Sequence, residues 1–174
     1  MIVGFLDEST QRTDLNRCRK WGAGKVIRTN TTEKISVNTM GFYPIEGAPV
    51  CAFPERGNSE SFVEFMGKVR EANGDRTIVM ILDNCRIHKT VAALRAAEDR
   101  NIRLCFLPPY SPQWNPIEFI WKTVKFQLSK YGILDRHQVE AIVEEAFMEE
   151  AQKTSYCQYW IDFLIDILPK KLCC

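Results

Sequence analysis

A chain of 174 residues with 45% hydrophobic side chains has material for one well-buried core and too little for two comfortable domains, so a single globular domain over 1–174 is expected. A formal net charge of +1 with 26% charged residues excludes a bulk field that would advertise a nucleic-acid partner, and leaves open only charge gathered on one face. The opening MIVGFLDEST has no basic start and the apolar stretch YWIDFLIDIL is broken by Asp162 and Asp166, which argues against a signal peptide and a membrane span; the seven cysteines, without CxxC pairs or zinc-spaced histidines, read as reduced thiols of a cytoplasmic protein.

In chain order, Ile2 to Leu6 is a short apolar run that suits a central strand ending in Asp7. Residues 12 to 28 hold Arg12, Arg17, Arg19, Lys20, Lys25 and Arg28 against Asp14 alone, six positive charges to one negative. Ile35 to Ile45 and Ala48 to Phe53, rich in Val, Ile, Phe and Tyr and joined across Glu46-Gly47, read as a hairpin. Asn58 or Ser59 then caps a helix with Phe62, Phe65, Met66 and Val69 on its buried face, closed by Asn73-Gly74. Thr77 to Leu82 reads as a strand buried on both faces that delivers Asp83 at its carboxyl end.

Beyond Asp83, Ile87, Val91 and Leu94 mark a helix that stops at Asn101, and Ile102 to Leu107 reads as a second buried strand, giving a right-handed parallel crossover. A helix from 116 to about 130 presents Ile117, Ile120, Trp121, Val124 and Leu128 inward. Asp135 to Gln138 is a capping box for a helix that buries Val139, Ile142, Val143, Ala146 and Phe147 and turns Glu140, Glu144, Glu145, Glu149 and Glu150 to water. A last helix, to about 168, places Trp160, Phe163, Leu164 and Ile167 on one face. The core is expected over about 1–131, with C-terminal helices over about 135–168.

Asp7 and Asp83 both end strands, and in open α/β sheets such ends gather around one crevice. Two carboxylates side by side resist ionisation unless a positive charge lies between them, and a hard divalent cation is the usual partner. Glu118 is the candidate third ligand: Pro108, Pro109 and Pro112 stiffen the preceding loop, Asn115 is a good N-cap, Pro116 fits the first helical position, and Glu118 falls at the third. The plainer reading is that Asn115 and Glu118 merely cap the helix, and the local sequence does not separate the two.

GFLDES, ILDNCRIHK and LPPYSPQWNPIEFIW resemble the three acidic motifs of mariner-type and related bacterial insertion-sequence transposases. The interval from Asp83 to Glu118, 118 − 83 − 1 = 34 residues, matches that superfamily's Asp, Asp, 34 residues, Glu pattern. The resemblance implies a ribonuclease H-like α/β fold, a five-stranded mixed sheet of three antiparallel and two parallel strands flanked by helices. It implies Asp7, Asp83 and Glu118 as the catalytic ligands of two Mg²⁺ (or Mn²⁺) ions. Such a pair, roughly 4 Å apart, activates an attacking water or 3′-hydroxyl and stabilises the leaving oxygen in an in-line displacement. The implied activity is cleavage at the ends of a mobile element and strand transfer into target DNA, typically at TA. A metal-dependent nuclease or resolvase of the same fold, or an inactive DNA-binding remnant, are the alternatives.

Other residues carry further expectations. Asn84 and His88 reproduce the Asp-Asn-x-x-x-His pattern of the second block; His88 is a candidate to orient a carboxylate or to contact phosphate, but reads first as a partly exposed structural residue. Glu8 adjoins Asp7, and strand alternation points it to the opposite face. Lys122 and Lys125, one and two turns after Glu118, are candidate phosphate contacts or ordinary helix partners of that Glu. Arg19, Lys20, Trp21 and Lys25 suit a DNA-facing flap with one stacking platform, or a solvated loop. Trp114 takes a position where the family more often has an aliphatic residue. The family carries helix-turn-helix modules ahead of its first acid, and the six residues before Asp7 leave no room for them, so the expected partners are DNA, a missing recognition portion and, as relatives usually do, a second copy in a homodimer.

Overall fold

The computed structural model describes residues 1–14, 34–132, 135–158 and 160–162. Its strands are β1 (Ile2–Arg12), β2 (Ser36–Pro44), β3 (Val50–Ala52), β4 (Ile78–Leu82) and β5 (Ile102–Phe106). They form one sheet in the order β3-β2-β1-β4-β5. β2 and β3 run antiparallel as the expected hairpin, β1 lies antiparallel to β2, and β1, β4 and β5 are parallel to one another.

Four α-helices cover the described sheet: α1 (Ser59–Asn73), α2 (Val91–Asp99), α3 (Ile117–Leu128) and α4 (Arg136–Ala151). Asn58 Oδ1 accepts from Ser61 N at 2.9 Å to start α1, and Gly74, at φ 61°, ends it in a conformation that suits glycine. The capping box at Asp135 and Gln138 is closed in both directions, at 2.8 and 2.9 Å. β1 and β4 separate two apolar layers. On one face Leu6, Phe42, Met80 and Leu82 pack with Phe62, Phe65, Met66 and Val69 of α1 and the alanines of α2. On the other, Phe5, Tyr43 and Ile81 pack with Ile117, Ile120, Trp121 and Val124 of α3 and Val139, Val143 and Phe147 of α4. Each such fully buried large side chain is worth roughly 1.5–3 kcal/mol.

Several expectations need correction. β1 does not end at Asp7; it runs on to Arg12 because β2 stays paired with it as far as Arg12↔Ser36. The stretch after Asp83 is a 3-10 turn over Arg86–Lys89 followed by α2. α2 leaves Val91 and Leu94 66% and 46% exposed and buries Ala93, Ala96 and Ala97 instead, since small side chains let the helix sit close to α1 and β5. β5 is an edge strand with Arg103 and Cys105 exposed, so only one of its faces is covered. Glu150 is 5% exposed and bonded to Lys153 and Tyr156 rather than turned to water. The basic residues Arg19, Lys20, Trp21 and Lys25 and the end of the last helix lie outside the described residues.

Candidate active site

Parallel pairing of β1 with β4 ends at Phe5↔Ile81. Continuing that register two places sets Asp7, midway along β1, opposite Asp83, just past the carboxyl edge of β4. β5 prolongs the same edge, with Leu107 N donating to Leu82 O at 2.8 Å. The proline-rich loop then folds back over this edge. Its anchor is Asn115, whose Nδ2 donates to the carbonyl of Leu6 at 3.1 Å. Because a carbonyl only accepts, this bond also fixes which end of the amide is nitrogen. Asn115 therefore does not cap α3; Pro116 occupies the N-cap without a side-chain bond. The capping explanation for Glu118 falls with it, and Glu118 stands exposed in the first turn of α3, where the positive helix end favours a carboxylate.

Asp7, Asp83 and Glu118 line one cleft of about 610 Å³ together with Asn84, Lys89 and the loop from Leu107 to Asn115. Asp7 is the enclosed member. Burial first, then the charges of Glu118 and Asp83, push its carboxyl up to about 7, against the opposing pull of backbone and Trp121 donors. The Trp121 indole N–H donates to Asp7 Oδ2 at 3.1 Å. That reach depends on Gly41, the β2 partner of Asp7; a Cβ there would lie 2.7 Å from the Trp121 ring and 2.6 Å from Phe147.

Asp83 is held from the other face. His88 Nδ1 stands 3.0 Å from Asp83 Oδ1, an ion-pair distance without the alignment of a good hydrogen bond. Cys85 N also donates to Asp83 Oδ1 at 3.1 Å. The carboxyl of Asp83 is accordingly lowered, first by His88, with partial burial opposing. Burial pulls the His88 imidazole down, but Asp83 and then Glu8 outweigh it and hold it up at about 9. At 3% exposure His88 is buried, not the partly exposed residue expected, because its ring packs 4.5 Å from that of Phe62.

The oxygen-only donor set suits a hard divalent cation. Two further oxygens, Asn84 Oδ1 and Asn115 Oδ1, belong to residues lining the same cleft and are buried without a protein partner. Buried acceptors of this kind call for water or an ion. As placed, no three His, Cys, Asp or Glu side chains among the described residues are close enough to share one ion. Coordination would require the exposed Glu118 to close toward the two aspartates. Lys122 is exposed and Lys125 half-buried on α3 beyond Glu118. Trp114 packs edge-on against Trp160 at 5.8 Å.

The model of the DDE superfamily endonuclease family matches residues 3–140. The chain belongs to that family. No curated protein matches the sequence significantly. Among solved structures, the Mos1 transposase catalytic domain with Raltegravir and Mn superposes with a TM-score of 0.63 at 12% identity, covering 88% of this chain and 72% of that one. The mariner Mos1 paired-end complex with Mg gives 0.64 at 15% identity, covering 89% and 54%. A simian T-cell lymphotropic virus intasome in complex with the PP2A regulatory subunit B56 gamma gives 0.56 at 12% identity, covering 81% and 46%. The likeness is one of fold and identifies the sheet as ribonuclease H-like. This DDE-family chain spans about half the length of the transposases in the paired-end complexes.

Two features of the site were missed in the sequence. Trp121 read as a core residue of α3, although a buried indole N–H needs an acceptor and so announces a polar partner. Asn115 read as a cap; nothing local marks its bond to Leu6, 109 residues away.

Proposed function

We propose that this chain is the catalytic domain of a DDE transposase, in which Asp7, Asp83 and Glu118 hold two Mg²⁺ or Mn²⁺ ions and direct DNA strand cleavage and strand transfer. The observation that carries the reading is the convergence of three carboxylates, borne by β1, the end of β4 and the start of α3, on one open cleft in a chain of this endonuclease family. When bound, the metals would supply Lewis-acid activation of the attacking oxygen and charge stabilisation of the leaving 3′-oxygen. The chain's own part is positioning. Trp121 holds the Asp7 carboxylate and Asn115 the β1 backbone at Leu6, His88 holds Asp83, and the prolines at 108, 109 and 112 keep the approach to Glu118 in one shape. Asn84 and Asn115 offer acceptors for ordered water beside the carboxylates.

The substrate of this reading is DNA, transposon ends and target, with Lys122 and Lys125 of α3 and Arg19, Lys20, Trp21 and Lys25 of the basic segment as proposed contacts, and a homodimer as the working form. Mos1 structures carry Mn or Mg and a paired-end assembly, which supports divalent metal and DNA here. Among the described residues no helix is long and apolar enough to cross a membrane.

The test is a joining assay with a pre-cut DNA end bearing a free 3′-hydroxyl, in Mg²⁺ and in Mn²⁺. Joined products, abolished by Asp83→Asn, are expected. Metal-dependent hydrolysis without joining would reassign the chain as a nuclease or resolvase.

A further inference from the structure

We infer that Glu8 and His88 form a positioning bridge that sets the orientation of Asp83, so that the residue after Asp7 on β1 controls the carboxylate at the end of β4. The inference rests on the metal-binding reading of Asp7, Asp83 and Glu118. Asp7 and Glu8 are consecutive in a strand, so their side chains leave opposite faces of the sheet. Asp7 turns toward Trp121 of α3. Glu8 turns toward the layer under α1, where its Oε1 lies 3.5 Å from His88 Nε2. The opposite ring nitrogen, Nδ1, lies 3.0 Å from Asp83 Oδ1. One imidazole thus spans two carboxylates carried by neighbouring strands.

Three features hold the bridge in place. His88 is 3% exposed, its ring rests 4.5 Å from Phe62, and its backbone N–H donates to Cys85 O at 3.3 Å. At Gly57 the absence of a side chain leaves room for Glu8, since a Cβ there would come within 3.3 Å of Glu8 Oε2. Asp83 itself is exposed, its side chain 57% accessible, and β4 has ended at Leu82. Without the imidazole, little beyond the Cys85 N–H would restrain its rotamer. A ligand carboxylate whose outer oxygen is tied from behind presents its remaining lone pairs in one direction, and losing such a partner typically costs about 10- to 100-fold in metal affinity.

Neither Glu8 nor His88 touches the metal in this scheme; they act through Asp83. The two ring nitrogens allow a test that burial alone cannot mimic. Asparagine places its amide nitrogen near the position of Nδ1, and glutamine places its own near Nε2. Mn²⁺ binding to the full chain would be followed by electron paramagnetic resonance for wild type, Asp83→Asn, His88→Asn, His88→Gln and Glu8→Gln, with thermal unfolding as a check on folding. The expected result is an affinity loss of about 10- to 100-fold in His88→Gln, a substantially smaller loss in His88→Asn, and an intermediate one in Glu8→Gln. Equal losses in His88→Asn and His88→Gln, or wild-type affinity in His88→Gln with Asp83→Asn impaired, would overturn the bridge while leaving the metal site intact. Wild-type affinity in Asp83→Asn, or no binding by the wild type at millimolar Mn²⁺, would overturn the site and the bridge together.

Discussion

Asp7 and Asp83 face each other across adjacent parallel strands, yet the sheet treats them in opposite ways. Asp7 lies in the interior of β1, between the α3 and α4 layer and its own backbone, and its carboxyl is pushed up to about 7, first by burial. Asp83 lies just past the end of β4, exposed, and its carboxyl is held low, first by His88. One acid comes with its countercharge built into the fold and the other does not. The lesson is that the pair is asymmetric before any ligand arrives: Asp83 is ready to bind a cation as an anion, whereas Asp7 becomes fully ionised near neutrality only when positive charge reaches it.

That asymmetry makes the same chemical change act differently at the two positions. For catalysis the effects are alike and large. Asp7→Asn, Asp83→Asn and Glu118→Gln should each reduce metal-dependent strand joining by about three orders of magnitude or more, since several kcal/mol of charge stabilisation are lost. Residual joining within tenfold of wild type for any of them would remove that residue from the site.

For stability the signs diverge. A carboxyl whose folded-state pKa is raised opposes folding once ionised, so the cost of Asp7 is absent below about pH 4, grows as pH rises, and is complete above about 7. Asp7→Asn should therefore stabilise the metal-free protein at pH 8 by on the order of 2–4 kcal/mol and have little effect at pH 3.5. Denaturant unfolding at the two pH values checks this, and destabilisation at pH 8 would contradict the buried, uncompensated state of Asp7.

Gly41→Ala sharpens the same side of the comparison. Its methyl would push against the Trp121 and Phe147 rings, costing about 1–3 kcal/mol by overpacking and shifting the indole off Asp7 Oδ2. The expected signature is a destabilisation together with weaker metal binding. A loss of stability with unchanged Mn²⁺ affinity would mean that the Trp121 bond does not orient Asp7.

Asp83→Asn should have the smallest effect on stability and the reverse sign. A lowered carboxylate contributes stability above its usual range and loses it on acidification, while the raised His88 contributes fully below its usual 6.5 and loses it as pH rises through about 9. Their pairing thus favours folding in the window between the carboxylate range and about pH 9. Because Asp83 is largely exposed, the loss on Asp83→Asn should stay below about 1 kcal/mol at pH 6 and vanish near pH 10. A stabilisation at pH 6 would show that the two acids sit in like environments after all.

How much of this was legible in the sequence follows from the range of each signal. Local signals served well: a cap formed at Asn58, one of the two candidates there, and the capping box at Asp135 and the strand before Asp83 formed as read. The interval of 34 residues between Asp83 and Glu118 was likewise a count along the chain. What stayed hidden was set by partners distant in sequence. Asp7 looked like a strand end because polar residues follow it, yet β2 continues to pair with them through Arg12. Val91 and Leu94 outranked three alanines on hydrophobicity alone, while close packing against α1 chose the alanines. His88 is buried by Phe62 and tied to Glu8, 80 residues earlier, and no local pattern reports either contact.

The most direct test of the account is the anomalous density of crystals soaked in Mn²⁺, compared between wild type and Asp83→Asn. The account predicts manganese between Asp7, Asp83 and Glu118, with Asp83 still against His88 and Glu118 closed toward it, and loss of that density in the variant. Manganese bound elsewhere, or a cleft still empty at millimolar metal with the three carboxylates apart, would contradict it.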